Sequence, residues 1–351
     1  MKILPMFRHL ALPAALLVAV TGRGWDYEGH RMVNQLALAA LPADFPAFVR
    51  EPANAERIAF LANLPDRWRN VDPWLKQSGS SWTDHFCDLE QLADAGLDAR
   101  TVPSLRYDFA LAFAAGRAAH ADKFPSIDPA KNLDHTREWP GFAPWAITEW
   151  SQKLRSAFAC LKAFEEVGGT PDDIANAKQD VIYAMGVLGH YVADGAQPLH
   201  TTIHHNGWVG ANPSGYTTWP GFHSWIDGGF VAKAGIRLPG LAPRVTVVEP
   251  LLLGSRADGR DPLFVAAMDY YLASNTLVEP LYQLEKAGLL GNGEKSVSPE
   301  GQAFIESRLL KGGHMLATLW LTAYKSAPVD TYLRSILVKR QLAAAPAKAT
   351  P

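Results

Sequence analysis

Residues 181–193 carry no charged side chain, and their one histidine is His190. The stretch belongs to a segment that opens as a helix should. Thr170-Pro171-Asp172-Asp173 supplies an N-cap, a proline where the missing N–H costs nothing, and acids at the positive end of the helix dipole. Gly195 and Pro198 close it just past Asp194. A helix apolar on every side has to be covered on every side. The expected fold is therefore all-α: a single multi-helix domain built around this buried central helix.

The rest of the chain supplies the cover. Helical period recurs at 29–41, 55–64, 105–119 and 145–167, the last with apolar residues at 147, 150, 154, 158, 161 and 164. Further helices are predicted at 223–234, 262–287 (kinked near Pro280), 299–326 and 329–342. The best strand candidate is 245–248, and its signal is weak. Segments 66–81 and 201–222 read as irregular, and the Ala/Pro/Lys-rich 343–351 reads as a disordered tail. Nothing divides 25–342 into two domains, and no repeat is visible.

Residues 1–24 differ in character. Lys2 and Arg8 precede an apolar run from Leu10 to Val20, too short to span a bilayer comfortably, and Gly22 and Gly24 follow. This pattern predicts a signal peptide cleaved before Trp25, hence a secreted or periplasmic protein. The chain has 33 Lys and Arg against 35 Asp and Glu; losing Lys2, Arg8 and Arg23 with the leader leaves 30 against 35. Bulk charge therefore holds no polyanion. Cys87 and Cys160 are the two cysteines, too few for a disulfide-stapled scaffold. A bridge between them stays open, and Cys87 reads as a small buried hydrophobe.

The chemistry sits at the end of the central helix. His190 and Asp194 are spaced i, i+4, as are His223 and Asp227, so each pair faces one point from a helix. His200 lies between the pairs. One buried histidine is ordinarily a hydrogen-bonded core residue, but two such pairs with a third imidazole beside a charge-free helix suit a metal. Unpartnered buried carboxylates would be costly, and imidazole with carboxylate is a set that holds zinc.

Upstream, Trp25 is followed by His30, Asp66 stands in Pro-Asp-Arg-Trp-Arg, and His85 stands in Asp-His-Phe-Cys-Asp. With His190, Asp194, His200, His223 and Asp227 these make nine ordered positions. The pattern resembles the zinc-dependent single-strand-specific nucleases, an all-helical family that shares a superfamily with bacterial zinc phospholipase C. The resemblance covers Trp25 to Asp227. It implies three zinc ions at one end of the bundle. Asp66, His85, His190 and Asp194 would hold one, and the amine and carbonyl of Trp25 with His30 and Asp194 the second. His200, His223 and Asp227 would hold the third, with water in its open positions. Asp194 would bridge the first two and so take part in catalysis. Asp88 resembles a carboxylate that stands behind the ligands in these nucleases, a second catalytic candidate; from the residues alone it also reads as a solvated loop acid.

The resemblance implies phosphodiester hydrolysis by metal-activated water on single-stranded DNA or RNA. The Trp25–His30 interval and the terminal Asp227 look like the nuclease branch; the phospholipases place the first histidine later and end on glutamate. The 201–222 loop departs from the nucleases, reading His204-His205-Asn206-Gly207-Trp208 where they have a Gly-Gly-Asn element. Trp208, Tyr216 and Trp219 in that loop are expected to bind substrate by stacking. His204 and His205 read as loop residues, and His120, His135 and His314 as surface or packing ones. No basic amphipathic helix suggests stable membrane association, and no protein partner is inferred. Phospholipase C-like hydrolysis and non-catalytic zinc binding remain as alternatives.

Overall fold

The computed structural model describes residues 25, 27–71, 80–133 and 135–344. The predicted leader at 1–24, part of the predicted irregular segment (72–79) and 345–351 of the predicted tail lie outside them. The described residues are all-helical. Ten helices have eight residues or more: α1 (Tyr27–Ala40), α2 (Pro52–Leu61), α3 (Leu64–Val71), α4 (Arg106–Ala119), α5 (Ala143–Val167), α6 (Pro171–Ala196), α7 (Pro262–Asn275), α8 (Val278–Lys286), α9 (Pro299–Lys325) and α10 (Thr331–Ala344). Among them no helix is long and apolar enough to cross a membrane.

α6 is the central helix. Its start is a capping box in which Thr170 and Asp173 satisfy each other's backbone N–H, with Pro171 at the first helical position. From Val181 to Ala196 every residue but Tyr183 is buried, under α1, α2, α5, α7 and α9. Close approach is built in next to His190. A Cβ on Gly189 would fall 1.7 Å from Asn34 Oδ1, so only glycine lets α1 lie this near the site.

Four local expectations need correction. No strand forms at 245–248 among the described residues; Val248 is buried and gives its N–H to the Ala40 carbonyl at 3.0 Å, an isolated tie rather than a ladder. The 66–81 segment is not irregular throughout, because Asp66 sits in the first turn of α3. The predicted 262–287 helix is two helices, broken at 276–277. Pro280 has no N–H for the Thr276 carbonyl and its ring crowds that group, so the helix ends one turn ahead of the proline. Finally, α10 runs to Ala344, past the predicted start of the tail.

Candidate metal centre

Separate structural elements bring the ligands together. α6 presents His190 and Asp194 one turn apart, and α1 presents His30. The 3₁₀ turn Pro198–Thr201, just past the end of α6, delivers His200. The predicted 223–234 helix is interrupted: Phe222–Ser224 is α-helical, Trp225–Gly229 is a π segment, and Phe230–Lys233 is α-helical again. π turns are rare and concentrate at functional sites. This one carries Asp227.

His85 comes from a non-helical segment clamped on two sides. Phe142 N donates to Thr83 O at 2.6 Å, Ala143 N to Phe86 O at 3.1 Å, and Asp88 N to Pro140 O at 2.6 Å. On the other side Cys87 N donates to His200 O at 2.9 Å. Gly141 at φ 94° permits this; a Cβ there would lie 2.0 Å from Phe86 O. Beside it, Arg106 donates to Asp84 at 2.5 Å and forks onto Glu149 at 2.8 and 2.9 Å. Burial pushes the Asp84 carboxyl up to about 6 although Arg106 opposes it.

Three groups of convergent ligand atoms result: His30, His190 and Asp194; Asp66, His85 and His190; and His200, His223 and Asp227. In the second, His85 Nδ1 and His190 Nε2 are 2.8 Å apart, and each lies 3.9–4.0 Å from Asp66 Oδ1. In the third, His223 Nε2 is 3.0 Å from His200 Nε2 and 2.8 Å from Asp227 Oδ2. Asp194 touches all three groups. Its Oδ1 faces His30 at 3.2 Å and His200 at 3.7 Å, while Oδ2 faces His85 at 3.0 Å and His190 at 3.3 Å.

These atoms fit zinc. With bonds of about 2.0–2.1 Å, two nitrogens on one tetrahedral zinc stand about 3.3 Å apart, and the observed spacings bracket that value. Tautomers also fit. His190 gives its Nδ1–H to Ala62 O at 2.7 Å, and His200 gives its Nδ1–H to His85 O at 2.7 Å. Each turns Nε2 inward, and in the neutral imidazole that nitrogen carries no proton, as a metal ligand must. Asp227 Oδ2 is buried and meets the distance but not the alignment of a hydrogen bond to His223.

Electrostatics separates Asp194 from Asp227. Burial pushes Asp194 up, but His200 and His190 outweigh it and hold the carboxyl well below its usual range. Burial wins at Asp227, which rises to about 7 despite His200 and Gln197. His200 is lowered, chiefly by burial, which favours the neutral imidazole.

The structure thus gathers His30, Asp66, His85, His190, Asp194, His200, His223 and Asp227. Trp25 is fully buried, and its indole Nε1 donates to Ala193 O at 2.8 Å, anchoring the residue next to Asp194. Asp88 is not a solvated loop acid. It is buried, accepts from Gln91 at 2.9 Å, and is pushed up to about 8 by burial and then by Glu90. Of the loop aromatics, Trp219 is 40% exposed and Tyr216 is buried at 7%. Trp208 stacks on His204 at 3.9 Å and packs edge-on against Tyr282, so one of its faces is already covered. Tyr216 is therefore not a stacking platform. His205, read from sequence as a loop residue, is in the loop but half-buried 6.2 Å from the His223 ring, and burial lowers it to about 4. Cys87 and Cys160 are not bonded to each other, and Cys87 is buried as a hydrophobe would be.

No family model matches the chain, and no curated protein matches its sequence. Among solved structures it is similar to an alpha toxin from Clostridium absonum, with a TM-score of 0.41 and 12% identity over 88% of this chain and 68% of that one. A likeness this distant carries no argument about the site.

Proposed function

We propose that this chain is an exported zinc-dependent phosphodiesterase of nuclease type that cuts single-stranded DNA or RNA. The observation that carries the reading is Asp194: one fully buried carboxylate in reach of four imidazoles drawn from three convergent ligand groups. Zinc held there would lower the pKa of a bound water toward 7 and neutralise charge on a phosphoryl group. The protein's own residues do the rest. Asp194, Asp66, His30, His85 and His190 would hold two of three ions close together, with the Trp25 main chain completing one set. His200, His223 and Asp227 give three ligands, which leaves room for substrate or water. Asp88, buried three residues after His85 and pushed up to about 8 by burial, would be a proton-holding group.

The nuclease branch is favoured by the Trp25–His30 interval, by Asp227 in place of glutamate, and by exposed Trp219 four residues before His223, where an unpaired base could stack. The test is hydrolysis by zinc-loaded protein beginning at Trp25, offered single-stranded DNA, RNA and phosphatidylcholine vesicles. Cleavage of the nucleic acids with inert vesicles supports the proposal. Brisk phosphatidylcholine hydrolysis with both nucleic acids intact overturns it in favour of a lipid phosphodiesterase.

A further inference from the structure

Gln197 is fully buried at the junction between α6 and the turn that delivers His200. Its side chain makes two hydrogen bonds of opposite sense. Oε1 accepts the Leu199 N–H at 2.7 Å, and Nε2 donates to Asp227 Oδ1 at 2.7 Å. A backbone N–H can only donate, so Leu199 fixes which way round the amide sits. The NH₂ must then face Asp227. One oxygen of that carboxylate is thereby occupied, and the other, Oδ2, is turned toward His223 Nε2 at 2.8 Å.

The third group needs such a tie. His200 comes from a 3₁₀ turn, whereas His223 and Asp227 come from a π-containing segment, and no helix of the described residues lies between them. Backbone stiffness cannot set the distance across a 201–222 loop. We propose that Gln197 is the positioning residue of the third metal group: it caps the His200 turn and, through the same amide, selects the Asp227 oxygen presented to the ion. The proposal rests on the zinc reading above, and it concerns metal affinity rather than the chemical step. Groups behind a ligand, when removed, typically weaken metal binding about 10–100-fold.

Two substitutions separate the two bonds. Gln197→Glu keeps an acceptor for Leu199 but has no N–H for Asp227, so two carboxyl groups face each other. Gln197→Met keeps the packing and loses both bonds. Metal-free parent and variants beginning at Trp25 are titrated with zinc against a competing chelator, with far-UV circular dichroism as the fold control. The expected result is three zinc on the parent, two tight zinc on each variant, and a third bound about 10–100-fold more weakly. Parent-like third-site affinity in Gln197→Glu reduces the amide to a turn cap and overturns the proposal, whatever Gln197→Met shows. Where a variant does not fold, Gln197→Asn, one methylene too short to span both partners, reads the same affinity with the same consequences. A parent that never takes up a third zinc overturns the zinc reading itself, an outcome distinct from failure of the tie.

Discussion

His200 gives its Nδ1–H to the backbone carbonyl of His85 at 2.7 Å, and its own carbonyl accepts the Cys87 N–H at 2.9 Å. An imidazole of the third ligand group is thus oriented by the main chain of a residue in the second. The groups are registered to each other by backbone, so displacing the 83–88 segment disturbs both.

That coupling makes Gly141 a sensitive position far from any ligand in sequence. Gly141→Ala puts a Cβ into Phe86 O and forces a left-handed φ on alanine. The variant is expected to lose about 2 kcal/mol or more in urea unfolding and to bind less than the parent's zinc. Parent-like stability with full zinc would show that the clamp does not set His85.

Asp194→Asn tests the shared carboxylate. It keeps the shape of α6 and removes the charge that three ligand groups face. Elemental analysis is expected to show about three zinc in the parent and fewer in the variant. Phosphodiester turnover should fall by more than the ~100-fold typical of an outer partner, with helicity retained. Unchanged metal content and turnover would remove Asp194 from the centre of the account.

Asp88 predicts a pH dependence of stability. Its folded pKa is raised to about 8 by burial, so the folded state holds a proton that the unfolded state releases near pH 4. Its contribution is intact at acid pH and is lost as pH rises from about 4 to about 8. Asp88→Asn, in metal-free protein, should raise Tm by about 3 °C or more at pH 8.5 and leave it nearly unchanged at pH 4. Equal effects at both values would mean that Asp88 is ionised in the fold.

The loop aromatics divide by packing. Trp219→Ala should raise KM for single-stranded DNA about 5- to 150-fold, the equivalent of ~1–3 kcal/mol of stacking, with kcat nearly unchanged because stacking binds ground and transition states alike. Trp208→Ala should instead lower stability, since its ring packs on His204, Tyr216 and Tyr282. A KM effect at Trp208 and none at Trp219 would reverse the assignment.

The sequence was most legible where geometry is local. His190 with Asp194 follows from one helical turn, and the buried α6 follows from its missing charges. The His223–Asp227 pair was legible as a pair, but not the π turn beneath it, because no residue type encodes one extra residue per turn. Asp66 reads from sequence as irregular chain, yet Pro65 is tolerated in a first turn and Asp66 lies in α3. Gln197 carries no sequence signal of its own although it sits between Asp194 and His200. A buried amide is recognised by its two partners, and Asp227 is thirty residues away. The burial of Asp88 and Tyr216 is likewise tertiary: neither lies on a periodic apolar face.

Diffraction at the zinc absorption edge from crystals of protein beginning at Trp25, grown with zinc, tests the central claim most directly. The account predicts three anomalous peaks: one within bonding distance of His30 and Asp194, one of Asp66, His85 and His190, and one of His200, His223 and Asp227. Peaks confined to surface sites, with these side chains hydrogen-bonded to one another and no ion between them, would contradict it.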